Sequence, residues 1–314
     1  MERKREIIIQ NQENGLMLLP WISARYTYHS MDKWKQYIND ERIKINDCKV
    51  ISETILNKGD KVTYYPEPII EPPVNSDYEV VYEDTDLLVL NKPSDLPCHP
   101  GGVYSKNTLW YLLKQKYEYI SLVNRLDRET SGIMLIAKNK VSATFYFKKM
   151  MDREIEKEYL VLVHGVLKEN LDARGWLIKD SDSIIEKKRK FILDEKALQE
   201  DGSGDPNREF SHSVFTTIQS NDKYSLVKCK IFTGRTHQIR VTICSLGYPV
   251  VGDKIYGVDD TFFFKFINGK LTKDDWSNLV LNNQALHSCK TTVPMMNGEK
   301  KTFISSPPSN WPVQ

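Results

Sequence analysis

Apolar positions recur along this chain with two periods, and the switches between them outline its elements. Arg42-Ile-Lys-Ile-Asn-Asp alternates charged and apolar residues, the period of a half-buried strand. Ser30 stands where it can cap a helix reaching Tyr37–Asn39, with Asp32 near its positive end. Asn46-Asp47 and Asn57-Lys-Gly-Asp60 read as turns, the second leading into a strand over Lys61 to Tyr65. Further on, Glu79–Tyr82 and Leu87–Leu90 read as strands joined through Asp84-Thr85-Asp86, Thr108 to Tyr117 as a helix and Ile133 to Ala137 as a buried strand. Val141 to Met151 reads as a second helix and Glu158 to Val163 as another strand. From Phe191 onward strands dominate, with a hairpin across Ser220-Asn-Asp222. A single helix interrupts them at Thr236 to Leu246, where Ile239, Ile243 and Leu246 form an i, i+4, i+7 stripe.

Residues 66–76, Pro-Glu-Pro-Ile-Ile-Glu-Pro-Pro-Val-Asn-Ser, propagate neither a helix nor a central strand. The expected organisation is an N-terminal arm and small module over 1–68, a proline-rich linker over 69–77 and a larger body over 78–314. Helix, strand, turn, strand is a compact RNA-binding layout when one side is basic. Lys33, Lys35, Arg42, Lys44 and Lys49 fall on or beside those elements, although a solvated charged face accounts for such a patch equally simply. In the body, strands and helices do not alternate regularly. The expectation is therefore α+β: a mixed, mainly antiparallel sheet with helices and a central cleft, fronted by a small α/β module. Asp194 to Glu209, acidic and containing glycine, reads as a mobile loop.

Composition narrows the classes. Five cysteines are scattered without Cys-x-x-Cys spacing, and six histidines without a His-x-x-x-His pair, which argues against a disulfide framework and a metal enzyme. No apolar run approaches the roughly 20 residues of a membrane span, and the charged start lacks a signal-peptide core. The expectation is a soluble cytoplasmic protein. Forty-four Lys plus Arg against 42 Asp plus Glu leave a net +2, so any nucleic-acid claim rests on local patches.

Three segments carry candidate chemistry. In Leu122-Val-Asn-Arg-Leu-Asp-Arg-Glu-Thr-Ser-Gly-Ile, four charges sit between apolar runs, with Thr130-Ser131-Gly132 read as a tight turn. A carboxylate held at a core's edge is ion-paired or functional, and on composition alone an ion-paired surface loop is the plainer reading. In Thr233-Gly-Arg-Thr-His-Gln-Ile-Arg240, Thr236 is placed to cap the helix. Arg240 falls one turn on, beside the apolar stripe, as a carboxylate clamp or a snorkelling flank residue. In Lys157-Glu-Tyr159, the tyrosine opens a strand, a place where packing is the commoner role.

Asn124-Arg-Leu-Asp-Arg-Glu-Thr-Ser-Gly132 resembles the signature loop of the RluA-type pseudouridine synthases, which usually begins with histidine. Gly234 to Arg240 is similar to that family's arginine motif and Lys157-Glu-Tyr159 to its lysine–tyrosine motif. Asn91-Lys-Pro93 with His99-Pro-Gly-Gly102, Gly252-Asp-Lys-Ile-Tyr-Gly257 and Ala285-Leu-His287 match further landmarks in order, so the resemblance spans about 78–305. The N-terminal module resembles, more loosely, the small RNA-binding domain of a small-subunit ribosomal protein, with an unusual aromatic-rich lead-in at Leu16 to Tyr28.

The resemblance implies isomerisation of uridine to pseudouridine in structured RNA, ribosomal or transfer, without cofactor or metal. It makes Asp127 the catalytic aspartate, ionised beside the ribose to attack C1′ or take the C2′ proton, with Arg240 as the partner that lowers its pKa. It has Tyr159 stack on the extruded uracil and accept the C5 proton, and Arg125 fill the gap left in the RNA. Arg235 and Lys157 become substrate-binding candidates. Asn124 and Thr242 replace usual histidines, a change expected to touch RNA contacts. His237 and His164 are expected to be structural, and Lys187-Lys-Arg-Lys190 either tracks phosphates or forms a strand's solvated edge. A monomer is expected, although nothing in the sequence bears on assembly. Two other functions fit parts of the chain: an RNA chaperone on an inactive synthase body, and a glycoside-processing enzyme pairing Asp127 with Glu129.

Overall fold

The computed structural model describes residues 4–67, 70–197 and 207–313. Two units separate by their internal contacts, Met1–Ile70 and Glu71–Gln314.

The first unit comprises β1 (Arg5–Ile8), α1 (Leu18–Arg25), α2 (Met31–Asn39), β2 (Ile43–Ile45), β3 (Cys48–Lys49) and β4 (Lys61–Tyr64). Its sheet runs β1-β4-β2-β3, antiparallel throughout. Ser30 caps α2 by accepting from the Lys33 amide. Asn46 and Asp47 both take positive φ, the geometry that a two-residue turn needs to match strand twist. Trp34, Ile38, Ile43 and Val62 close the core against Leu18 and Ile22 of α1, a helix the aromatic lead-in did not announce. The basic cluster is partly spent: Lys33 pairs with Glu67 at 3.0 Å, Lys49 pairs with Glu41, and Lys44 lies over the Tyr65 ring.

The proline-rich stretch is anchored at its far end. Glu71 accepts from the amides of Ser105, Lys106 and Asn107, so the chain from there belongs to the second unit. Pro68 and Ile69 lie outside the described residues.

The second unit opens with β5 (Glu79–Glu83), β6 (Leu87–Lys92), α3 (Leu109–Lys114), β7 (Ser121–Leu122), β8 (Ser131–Ala137), α4 (Lys140–Met151) and β9 (Glu156–His164). It continues with β10 (Leu171–Lys179), β11 (Arg189–Leu193), β12 (Arg208–Ser220), β13 (Tyr224–Ile231), α5 (Gln238–Ser245), α6 (Thr261–Ile267), α7 (Lys273–Leu279), β14 (Leu286–Pro294) and β15 (Lys300–Ile304). The sheet order is β11-β10-β12-β13-β9-β14-β8-β6-β5, with β15 on β14 and β7 on β8. Its pairings are antiparallel except β14 with β8, which run parallel for two residues, His287 beside Ser131 and Ser288 beside Gly132. The fold is thus mixed α+β on a large, mainly antiparallel sheet.

Strands β6 and β8 are buried on both faces, which explains why they read as continuous apolar runs. Leu88, Leu90, Met134 and Ile136 join α3 and α5 on one side, while Leu87, Val89, Ile133 and Leu135 meet Ala143 and Tyr146 of α4 on the other.

Three expectations are corrected. Among the described residues, not one but three helices follow Phe191, because α6 and α7 are short and carry no long apolar stripe. Helix α5 starts at Gln238 rather than Thr236: His237 occupies the cap position at φ +56°, no side chain caps it, and Thr236 is exposed. The turn in the charged loop falls on Arg128–Glu129, closed by the Thr130 amide on the Asp127 carbonyl, and Ser131 and Gly132 already belong to β8. Of the acidic stretch Asp194 to Glu209, residues 198–206 lie outside the described residues, and Arg208 and Glu209 are in β12.

Candidate active site

The charged loop is held where β7 turns into β8. The Leu135 amide donates to Asn124 Oδ1 at 2.8 Å, and the Val123 amide to the Leu135 carbonyl at 2.9 Å. From below, the buried Lys92 ammonium donates to the carbonyls of Pro93, Leu96 and Arg128. Burial lowers Lys92 to about 8. Asn124 therefore does for the loop what a side-chain turn acceptor does, while its buried Nδ2 has no hydrogen-bond partner among the described residues and the residue lines the cleft.

Arg240 sits inside α5, where Gln238 through Ile243 are all buried, so the flank position read from periodicity is wrong: packing surrounds the helix. Its guanidinium is shared by two carboxylates. Nε and Nη2 grip Asp253 at 2.6 and 2.8 Å, and Nη1 donates to Asp127 Oδ2 at 2.7 Å. Burial opposes the charge on Arg240, but the two aspartates more than offset it and raise its pKa. Burial is the largest single influence on Asp127 and pushes it up, but the charge and hydrogen bond of Arg240, with His237 and Gln284 alongside, together outweigh it and leave the carboxyl below its ordinary value. Gln284 adds a longer contact at 3.4 Å to the same Oδ2 and donates to Thr130 at 2.6 Å. The other oxygen, Oδ1, has His237 Nε2 at 3.9 Å and accepts no hydrogen bond among the described residues. A third of the Asp127 side chain is exposed. The site therefore holds an ionised carboxylate by one oxygen and presents the other.

His237 is fixed by Tyr256 Oη at 3.0 Å from Nδ1, and burial, with Arg240 close by, lowers it to about 4. It is neutral at physiological pH. His164 lies away from this cluster, edge-on to Tyr224. Tyr159 on β9 is buried, paired in register with Ser288 and Cys229, and its phenol is pushed well above the usual range by burial.

Asp127, Arg240, His237 and Tyr159 line one cleft of about 1070 Å³ that also includes Arg125, Lys157 and Arg235. Arg125 is exposed. Arg235 donates through Nε to the Phe210 carbonyl at 3.1 Å, and its amide meets Gln238 Oε1 at 3.0 Å. Lys157 contacts Met150 sulfur at 3.5 Å, pairs with no carboxylate among the described residues, and has its pKa lowered by burial. All six residues singled out in the sequence thus border one space.

Two others do not take the parts considered for them. Glu129 is engaged by Lys254 at 2.8 Å, by Arg128 at 2.9 Å and by the Gln284 amide at 3.3 Å, so it is not a second free carboxylate beside Asp127. In the 187–190 run, Lys188 meets Asp260, Arg189 meets Glu209 and Lys190 meets Asp182 on edge strand β11, while Lys187 lies over the Phe263 ring at 4.7 Å. The buried Thr242 hydroxyl has no hydrogen-bond partner among the described residues. Among the described residues, no group of three His, Cys, Asp or Glu gathers as a metal site.

Asp253 and Lys254 stand in the Gly252–Gly257 landmark but receive no role from the sequence, and Gln284 is not singled out at all. Asp253-Lys254 does show the sign used for the Asp127 loop, since two charges stand between Pro249-Val-Val and Ile255-Tyr. Gln284 has no comparable local signal.

A clamped, ionised aspartate on the rim of a large mainly antiparallel sheet defines a class, and the comparisons with known proteins agree on it. The family model described as RNA pseudouridylate synthase matches residues 86–245. The chain belongs to that family. It is 35% identical over 235 residues to the tRNA pseudouridine(32) synthase, mitochondrial, of Saccharomyces cerevisiae, a match covering 73% of this chain and 48% of that protein. It is 32% identical over 254 residues to an uncharacterized RNA pseudouridine synthase of Aquifex aeolicus, covering 76% of this chain and 73% of that one. The chain spans about half the length of the yeast relative. Among solved structures, human RNA pseudouridylate synthase domain containing 1 superposes with a TM-score of 0.57 at 25% identity, covering 76% of this chain and 86% of that one.

Proposed function

We propose that this chain isomerises uridine to pseudouridine in structured RNA, transfer or ribosomal, with Asp127 as the catalytic carboxylate and no cofactor. The observation that carries the reading is the asymmetric hold on Asp127: Oδ2 is clamped by Arg240 at 2.7 Å, while Oδ1 is left for the ribose. In the reaction the bond from uracil N1 to C1′ breaks, the base turns while bound, C5 bonds to C1′, and the C5 proton leaves as N1 gains one. Asp127 either attacks C1′ or takes the C2′ proton; both need the ionised form that Arg240 favours.

Tyr159 stacks on the uracil. Its buried phenol keeps its own proton at neutral pH, so stacking suits it better than accepting the C5 proton. Arg125, exposed at the cleft, occupies the place the base leaves, a step that offsets roughly a few kcal/mol of unstacking. Lys157 and Arg235 meet the backbone, Lys157 being the better phosphate partner because no carboxylate already holds it. The first unit, on this reading, adds RNA affinity through Lys35 and the neighbouring exposed face.

The test is Asp127→Asn, with pseudouridine read by carbodiimide-blocked primer extension after incubation with RNA. A folded but inactive variant is expected; wild-type levels of pseudouridine refute the assignment.

A further inference from the structure

Phe232 joins β13 to the Thr233–Gly234 segment that leads to Arg240, and it lines the same cleft as Asp127. The residue is 41% exposed, forgoing much of the burial that usually makes a phenylalanine worth placing. It is nonetheless held flat. The His212 imidazole of β12 stacks on it, with centroids 4.4 Å apart and 16° between the planes. His212 is itself fixed, Nε2 lying 2.7 Å from Asp172 Oδ1 and its carbonyl accepting from the Phe232 amide at 3.0 Å. Lys230 sets an ammonium 5.7 Å from the Phe232 centroid, where Glu156 pairs with it at 3.0 Å and fixes it beside the ring.

An exposed aromatic, backed by a second ring and flanked by a cation, meets the requirements for stacking a nucleobase, which any base can satisfy with its π face. Extruding one base also deprives its neighbour of a stacking partner. We propose that Phe232, backed by His212, is the platform for the unpaired base next to the one drawn into the cleft. The inference rests on the RNA-isomerase reading above and adds a base-stacking subsite to it, one that contributes affinity whatever the base.

Full-length wild type, Phe232→Leu and Phe232→Trp are each incubated with total RNA from cells lacking the gene. They are then compared on a transcript of an RNA that the wild type modifies, with the nucleotides flanking the target uridine made abasic one at a time. Loss of one stack is expected to raise KM for Phe232→Leu roughly 5- to 150-fold with little change in kcat, and Phe232→Trp is expected to restore it. One abasic flank should weaken the wild type by a similar factor and add nothing to the Phe232→Leu defect. An unchanged KM in Phe232→Leu, or losses that simply multiply, overturns the platform alone. A wild type that forms no pseudouridine in any of this RNA overturns the isomerase reading, and the platform with it.

Discussion

Asp253 has no exposed surface, and its carboxylate takes two of the hydrogen bonds of Arg240 while Asp127 takes one. Asp253→Asn preserves the shape and can keep the Oδ1 acceptor used by the Ile255 and Tyr256 amides, but it removes the charge and turns an NH2 toward a guanidinium. Breaking a buried pair by deleting one partner costs about 3–5 kcal/mol, because the remaining charge is stranded. Asp127 still compensates Arg240 from the other side, which places the expected loss near the lower bound, about 3 kcal/mol. Asp127→Asn is the contrasting perturbation. It leaves the two-pronged Asp253–Arg240 pair intact and alters a group one-third exposed, so the expected loss is about 1 kcal/mol. Urea titration followed by tryptophan fluorescence measures both, with the transition of the second unit the one expected to move. The reasoning fails if Asp253→Asn stays within about 0.5 kcal/mol of wild type, the range of an inert surface change. It fails equally if Asp127→Asn proves the more damaging of the two.

Burial holds His237 and His287 at about 4 in the folded protein against 6.5 when free. Folded values below unfolded ones mean stability that is full above pH 6.5 and drains as pH falls toward 4, roughly 3 kcal/mol per histidine. The lowered aspartates contribute only below their free value of 3.8, so a urea midpoint unchanged between pH 7 and 4.5 would contradict this account. Gly132→Ala puts a Cβ 2.3 Å from the Ser288 carbonyl oxygen at φ +111°, where β8 and β14 pair in parallel. A loss of about 3 kcal/mol is expected, and a melting temperature equal to wild type would show that the strands separate freely. Removing residues 1–70 keeps Glu71 on its three amides, so the body should fold while its RNA affinity drops or its target site changes; gel shifts and site mapping check both.

Much of the fold is written locally. Alternation over Ile43–Ile45, the run Ile133–Ala137, the Ser30 cap and the turn at Asn46-Asp47 involve residues a few positions apart, and those local interactions are strong enough to read in one dimension. The ordered motifs carried the family in the same way, since the chemistry fixes residue types within short segments. Helix α1 escaped because its apolar residues give a weak stripe, and α6 and α7 because seven residues make barely two turns. What no stretch of sequence shows is which charges meet. Asp127 and Arg240 are 113 positions apart, and Asp253 and Gln284 reach the same cluster from elsewhere in the chain. Lys33 and Lys49 look free as letters but are ion-paired. Charge state follows the same rule: desolvation and the nearest opposite charge set a pKa, and both exist only after distant strands and helices have packed, so the Asp127–Arg240 pair and the lowered pKa of Asp127 are expected from the family resemblance and from no local signal.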